Sequence, residues 1–479
     1  MIIEDLQNKA ITVVGLARSG VGSANLLAHF GASVTVTDRK SPQELKTYLD
    51  KLTPGIRTAL GGHPCELFEH ADLIAVSPGV PLNIAPLKAA LRRGIKIIGE
   101  LELAHQIIRA QPRAYGLTAP KFLVVTGTNG KSTTVTLLYE MLKKSGFKVV
   151  LGGNIMNALT DEVLKAMKGE CPSAENILTA DFIIVEASSF QLETISEFRP
   201  EATSVLNVTP DHMDRYPSIF DYIEAKSHIF MNQRAGDALI LNADDPATAA
   251  LHDKGMRMWT KGKGPDVFYF SRQREVNGAY YRDKPIHFNL PSVPATFHLD
   301  PSTFGIKGVH NIENAMAASL MAFLSGCSPD IIADTLKSFP GLEHRLEFVR
   351  EIGGVKYIND SKGTNVGAVI RSLESFQEPV ILIAGGRDKD GDFIKLRSLV
   401  KNRVKALVLI GEAKDKIRKA LGDVRNTFMA DDLKTAVAQA RKMASSGDAV
   451  LLSPACASFD MFRDFEDRGR QFKKAVMEL

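Results

Sequence analysis

Short apolar runs recur along the whole chain and constrain its fold more than any other feature. They are ITVVG (11–15), SVTVTD (33–38), DLIAVSPG (72–79), FLVVTG (122–127), FIIVEASS (182–189), TSVLNVT (203–209), VILIAGG (380–386), ALVLIG (406–411) and AVLLSP (449–454). Each is rich in leucine or β-branched residues, and most end on Gly, Ser, Thr, Asp or Pro. Stretches of helical period separate them. Strands that are apolar on both faces and alternate with helices form parallel sheets covered on both sides. The predicted fold class is α/β, doubly wound over most of its length.

A chain of 479 residues has room for about three domains at roughly 150 residues each. RAQPRAYGLTAP (109–120) and SFPGLEHR (338–345) carry the Pro, Gly and small residues of linkers. The expected domains are 1–112, 113–340 and 341–479. Residues 263–304 are dense in aromatics, among them Phe268, Tyr269 and Phe270. They read as antiparallel strands inserted in the middle domain.

The net charge of +4 is small, and no run of five like charges occurs, which argues against a nucleic-acid binder. No apolar run reaches the ~18–20 residues that span a bilayer. The start, MIIEDLQNKA, lacks the basic and apolar segments of a signal peptide. Cys65, Cys171, Cys327 and Cys456 show no metal spacing and read as buried thiols in a reducing compartment. The expectation is a soluble cytoplasmic protein with small-molecule partners, no nucleic acid and no membrane.

Residues 126–134, TGTNGKSTT, lie between an apolar strand and the helical stretch VTLLYEMLKKSG. They resemble a nucleotide phosphate loop, but a short one. The usual loop has four residues between its first glycine and Gly-Lys-Ser/Thr; here only Thr128 and Asn129 separate Gly127 from Gly130. The contacting groups are all kept. Backbone N–H groups at the helix start favour an anion. Lys131 can reach outer phosphates, and Ser132 can ligate Mg²⁺. Glu186 ends a neighbouring strand, where a metal ligand or water organiser belongs. Asp211, His212 and Asp214 cluster after another strand, in NVTPDHMDRY (207–216).

In the first domain, GLARSGVG (15–22) follows a strand and opens a helix. Gly15 and Gly20 match the first and third glycines of a dinucleotide fingerprint, but Ala17 takes the place of the second. Asp38 ends the next strand, where a ribose-binding acid belongs. A nucleotide site is expected there; at this level NAD and other nucleotides both remain open.

GTNGKST (127–133), GGNI (152–155), EASSFQLE (186–193), NVTPDHMDRY (207–216), NADD (242–245), HNIENAMAA (310–318), LEHR (342–345), NDSKGTN (359–365) and LSPACASFDMF (452–462) together resemble the Mur ligases. These are ATP-dependent amino-acid ligases of peptidoglycan synthesis. SSFQLE and SPACASFD are similar to the D-glutamate-adding branch, and the Asp-Asn-Pro-Arg motif of diaminopimelate-adding relatives is absent. Other branches and the folylpolyglutamate synthases are the nearest rivals. A NAD-dependent dehydrogenase would leave the phosphate loop unused.

The resemblance implies a Rossmann-like first domain that binds the UDP of a nucleotide-sugar substrate, a P-loop ATPase-type middle domain and a Rossmann-like C-terminal domain that binds the amino acid. Gly15, Leu16, Ala17, Asp38 and Arg39 would meet the uridine or diphosphate, with Ser77 and Gly79 in the same crevice. Gly127, Thr128, Asn129, Gly130, Lys131, Ser132 and Thr133 would hold ATP phosphates, aided by Arg345. Asn311 and Asn314 fit the adenine pocket and Asp360 the ribose. Ser132 and Glu186 would hold one magnesium, and His212 a second. Lys226, in EAKSHIF, falls at the family's carbamylated lysine; carbamylation converts an amine into an oxygen ligand. Asn154 and Ser188 would line the muramoyl end. Lys362, Thr364, Lys389, Ser458 and Phe465 fit the D-glutamate site, with Lys389 inside the charge-dense AGGRDKDGDF (384–393). The implied reaction turns a carboxylate into an acyl phosphate before an amine attacks it. A monomer that closes around its substrates is expected.

Overall fold

In the computed structural model of the chain, the described residues are 6–115, 118–172, 176–259, 264–290, 297–306, 308–423 and 426–479; for 112–115 and 256–258 the description covers the backbone. The runs named above form strands of three separate sheets, one in each third of the chain.

The first sheet contains β1 (Ala10–Val14), β2 (Ser33–Asp38), β3 (Arg57–Leu60), β4 (Leu73–Val76) and β5 (Lys96–Gly99), in the order β3-β2-β1-β4-β5. All its pairings are parallel. The chain leaves β1 toward one side and β4 toward the other, so a crevice opens beyond their carboxyl ends. Gly15 follows β1 and Ser77 follows β4 there.

The second sheet contains β6 (Lys121–Thr126), β7 (Val149–Gly153), β8 (Phe182–Glu186), β9 (Ala202–Val205), β10 (Ala238–Asn242), β11 (Asp266–Ser271), β12 (Gly278–Tyr281), β13 (Ile286–Asn289) and β14 (His298–Leu299). Its order is β14-β13-β12-β11-β10-β9-β6-β8-β7. The switch point falls between β6 and β9, which places the phosphate loop beside the segment Leu206–His212. Every residue of β8, FIIVE, is buried, as a strand covered on both faces requires.

The expected antiparallel insertion takes a different form. β11 joins β10 in parallel, and β12 joins β11 in parallel. Only β12–β13 and β13–β14 are antiparallel. For the β10–β11 pairing the cause is the helix Pro246–Met258, which carries the chain back across the sheet before β11 and so returns it in the parallel sense. The aromatic segment extends the main sheet. Residues 263 and 291–296 of that expected insertion lie outside the described residues.

The third sheet contains β15 (Glu347–Ile352), β16 (Val355–Asn359), β17 (Val380–Gly385), β18 (Val404–Ile410), β19 (Asn426–Met429) and β20 (Ala449–Leu452), in the order β15-β16-β20-β17-β18-β19. Only β15–β16 is antiparallel.

One apolar cluster runs from the first sheet into the second. It joins Val13, Leu26 and Leu101 to Leu159, Val163 and Ile183. The helices Arg18–His29, Glu100–Tyr115 and Leu159–Met167 supply this seam. Cys327 and Cys456 are buried as expected, but Cys65 is exposed and Cys171 half-buried. No described helix is long and apolar enough to cross a membrane.

Candidate active site

The helix Lys131–Lys144 starts at Gly130, whose φ of 89° is left-handed. A Cβ there would sit 2.3 Å from Asn314 Oδ1, so the position excludes every side chain. Val135, Leu138 and Leu142 face the core. The loop is held from β9 as well. Asn129 N–H donates to Asn207 Oδ1 at 2.9 Å, and Asn207 Nδ2 returns to Asn129 O at 3.0 Å. Thr128 Oγ1 donates to Thr209 O at 3.1 Å and accepts from Thr209 N–H at 3.0 Å. A loop shortened by sequence is thus kept rigid by its neighbour.

Glu186 lies at the centre. One carboxylate oxygen accepts from Ser132 Oγ at 2.7 Å, the other from Asn154 Nδ2 at 2.8 Å. Arg345 Nη2 donates to Ser132 Oγ at 3.1 Å. Burial pushes the Glu186 carboxyl upward, but Lys131, Lys362 and the bonds from Ser132 and Asn154 outweigh it, and its pKa falls. The carboxylate stays ionised. Lys131 Nζ reaches Gly127 O at 2.8 Å and Thr128 O at 3.0 Å; burial lowers its pKa, assisted by Arg345.

His212 has a left-handed φ of 58° and packs against the Phe190 ring at 4.8 Å between centroids. Burial lowers its pKa, against the pull of Asp211. Asp211 accepts from Asn365 Nδ2 at 3.0 Å, a second tie, with Arg345–Ser132, between the middle and C-terminal units.

These groups line one cavity of about 230 Å³. Thr128, Asn129, Gly130, Lys131, Ser132 and Thr133 lie on its wall with Asn154, Glu186, His212, Asn311, Asn314, Arg345, Asp360, Lys362, Thr364 and Lys389. Lys131, Arg345, Lys362, Arg371 and Lys389 outnumber Glu186, Asp211 and Asp360, and this excess of cations suits a polyanion. The buried Asn129 Nδ2 has no hydrogen-bond partner among the described residues. It is a donor left over at a phosphate loop, as an acceptor-only ligand requires.

A second cavity, of about 570 Å³, gathers Gly15, Leu16, Ala17, Asp38, Arg39, Ser77 and Gly79. Asp38 accepts from Leu16 N–H at 2.7 Å and Lys40 N–H at 2.9 Å, so it also ties the loop. Gly153, Asn154 and Gln191 of the middle unit close this cavity. Asn154 lines both cavities.

Other expected residues stand off these walls. Lys226 is 1% exposed and lies beneath the phosphate loop, its Nζ 3.1 Å from Gly127 O and 4.4 Å from the Tyr222 ring centre. Burial, then Lys131, lowers its pKa well below 10.5. Ser188 caps the helix Ser189–Leu192 with Gln191. Ser458 is buried, and its backbone carbonyl accepts from Met461 and Phe462 N–H. Phe465 carries the Lys362 ammonium 3.6 Å above its ring centre. Asp360, on the first cavity's wall, receives the hydroxyls of Ser372 and Ser453 on its Oδ2 at 2.6 and 2.7 Å.

Family models for the Mur ligase middle domain, the Mur ligase glutamate ligase domain and the MurD-like N-terminal domain match residues 125–322, 344–456 and 9–99. The chain is 44% identical over 476 residues to UDP-N-acetylmuramoylalanine–D-glutamate ligase of Geotalea daltonii, covering 99% of this chain and 98% of that one. It is 42% identical over 482 residues to the enzyme of the same name from Pelotomaculum thermopropionicum, covering 100% and 99%.

The chain belongs to the Mur ligase family.

Among solved structures, MurF ligase from Thermotoga maritima in complex with ADP matches this Mur ligase at a TM-score of 0.61 and 15% identity, over 99% of each chain. UDP-N-acetylmuramate–alanine ligase MurC from the same organism matches at 0.56 and 20%, over 98% of this chain and 100% of that one. At such identities the likeness concerns the fold.

Three features of this Mur ligase's cavity were not singled out from sequence: the Asn207 clamp, Arg371 and His310. Arg371 has no motif around it. Burial first, then Arg371, Arg345 and Arg272, pushes the His310 imidazole down to about 4. For magnesium, the Ser132 hydroxyl and the ionised Glu186 are oxygen donors of the right chemistry. The cluster Glu343, His344 and Glu347 also has metal-ligand geometry, but the Lys473 ammonium lies 2.9 and 2.5 Å from its two carboxylates and fills that place.

Proposed function

We propose that this Mur ligase joins D-glutamate to UDP-N-acetylmuramoyl-L-alanine with ATP, releasing ADP and phosphate. The observation that carries the reading is Asn154 as a shared wall. It brings the end of a nucleotide-linked substrate in the second cavity, beside Gly15 and Asp38, up to the phosphate loop. The choice of amino acid rests on the named relatives, 44% and 42% identical over nearly the whole chain.

In the proposed reaction the L-alanyl carboxylate attacks the γ-phosphorus of ATP and ADP leaves, giving an acyl phosphate. The neutral amine of D-glutamate attacks the acyl carbon. The tetrahedral intermediate expels phosphate and leaves an amide. Lys131 and Arg345 face the phosphate that moves and offset its charge. Magnesium, when bound, would neutralise phosphate oxygens; Ser132 and Glu186 would hold one ion, and His212 with a carbamylated Lys226 a second. A lysine must be neutral to add CO₂, and burial, which lowers the Lys226 pKa well below 10.5, favours that form. The ties of Arg345 to Ser132 and Asn365 to Asp211 describe a closed arrangement, which would keep water from the acyl phosphate. Lys362, Thr364 and Lys389 would receive the D-glutamate carboxylates. We propose a cytoplasmic monomer, because its reading needs only soluble substrates and one copy of each site.

Phosphate release from ATP and magnesium, with UDP-N-acetylmuramoyl-L-alanine in bicarbonate buffer, tests this directly. Release is expected only when D-glutamate is added. Release with L-alanine, L-glutamate or diaminopimelate instead would move the protein to another ligase. Binding of NADH with no release would revive the dehydrogenase reading of residues 11–38.

Lys362 offers a pH test. Burial, then Arg345, pushes its pKa down to about 8. The cation is present below that pH and lost above it, so kcat/KM for D-glutamate is expected to fall as pH rises through about 8. Lys362→Arg keeps its charge and should move the alkaline limb upward. An unchanged limb in that variant would remove Lys362 from amino-acid binding.

A further inference from the structure

Arg18 belongs to the first unit but grips the second. It stands one residue past Ala17 at the start of the helix Arg18–His29. Its Nη1 donates to Met156 O at 2.5 Å and its Nη2 to Asn154 O at 3.3 Å. The segment it holds is an awkward one. Gly153 has a φ of 99° and Met156 a φ of 57°, and Met156 is 65% exposed, so its own side chain does not anchor it. A non-glycine residue in left-handed backbone persists only where its surroundings impose it. Asn154 sits between these two residues and is bound to Glu186 twice: its N–H donates to Glu186 O at 2.8 Å and its Nδ2 to Glu186 Oε1 at 2.8 Å.

We infer that Arg18 is a positioning residue that links the two cavities: it pins the Asn154–Met156 turn, and through Asn154 it sets the Glu186 carboxylate in the phosphate site. Two carbonyls at different points of one turn suit the planar fork of a guanidinium and not the point charge of an ammonium. The inference rests on the proposed ATP and magnesium role of the central cavity. Its rival is that Arg18, which also lines the second cavity, simply binds the substrate's diphosphate.

Calorimetry separates the two. The full chain, Arg18→Ala, Arg18→Lys, Asn154→Ala and the double Arg18→Ala/Asn154→Ala variant are titrated with a non-hydrolysable ATP analogue, with and without magnesium, and separately with UDP-N-acetylmuramoyl-L-alanine. Melting temperatures confirm that each folds. Both Arg18 variants are expected to lose roughly tenfold of the magnesium-dependent tightening, in keeping with a displaced ligand. Their affinity for the UDP substrate stays within about twofold, because no contact to it is removed. The double variant should be no worse than Asn154→Ala, because the effect passes through Asn154. Weaker UDP-substrate binding rescued by lysine, with the magnesium effect intact, would overturn the inference in favour of the diphosphate ligand. So would additive losses in the double variant. Absence of magnesium-dependent tightening in the unsubstituted protein would overturn both this inference and the reading of the cavity.

Discussion

Replacing Lys131 by methionine is expected to lower kcat by roughly 10³-fold, about 4 kcal/mol of transition-state stabilisation. Lys131 is the cation that the loop itself presents. In the structure its ammonium is held over the loop by the Gly127 and Thr128 carbonyls at 2.8 and 3.0 Å. It is also close enough to Glu186 for the two to favour each other's charged forms. Methionine keeps the volume of the side chain and removes the charge. The backbone N–H groups at the start of the helix Lys131–Lys144 remain to bind an anion, so KM for ATP should change less than kcat. The two carbonyls lose a donor, which costs stability by ~1–3 kcal/mol and is read as a lower Tm. A rate within tenfold of the unsubstituted enzyme would mean that charge at Lys131 does not act on the transferred phosphate.

Replacing Lys226 by methionine is expected to move activity and stability in opposite directions. The side chain is 1% exposed, and among the described residues its amine has one hydrogen bond, to Gly127 O at 3.1 Å. Burial lowers its pKa well below 10.5. Between that lowered value and 10.5 the unfolded chain binds the proton more readily than the folded one. Lys226 therefore makes stability rise with pH through that window. Methionine fills the space without a buried amine, so Tm is expected to hold or rise, and its pH dependence to flatten. Activity should fall by about 10²–10³-fold, the loss of a charge-stabilising group in a closed site. Bicarbonate should activate the unsubstituted enzyme and leave the variant unchanged. Full activity of Lys226→Met would exclude a carbamate at this position.

The two lysines differ in how far sequence alone reveals them. Lys131 is legible because its context is local. Strand, glycine turn, lysine and serine are contiguous, and a helix N-terminus binds anions wherever it stands. Glu186 is legible at one remove, as the carboxylate that ends an apolar strand. Lys226 is not legible from its neighbours. On sequence alone EAKSHIF is an exposed helix turn, and only the family resemblance singles it out. What buries it is the phosphate loop folded over it, a contact across 99 residues of chain. Asn207, Arg371 and Arg18 are similar cases. Each acts on a partner far off in sequence, and no local pattern marks it. The aromatic stretch after residue 263 misleads for a related reason. Its composition shows strands, but the direction of the first of them, β11, depends on the crossover helix before it.

The sequence by itself determined the parallel sheets and the phosphate loop, because apolar period and turn chemistry act over a few neighbouring residues. It also determined the family, because its blocks recur in order along the whole chain. The tertiary structure decided what those blocks do to one another. It closed the Asn207 clamp on the short loop, placed Glu186 between Ser132 and Asn154, set Lys226 beneath the loop, and laid Arg18 across the seam between two units. Those contacts depend on distances between strand ends, and such distances exist only once the sheets are assembled.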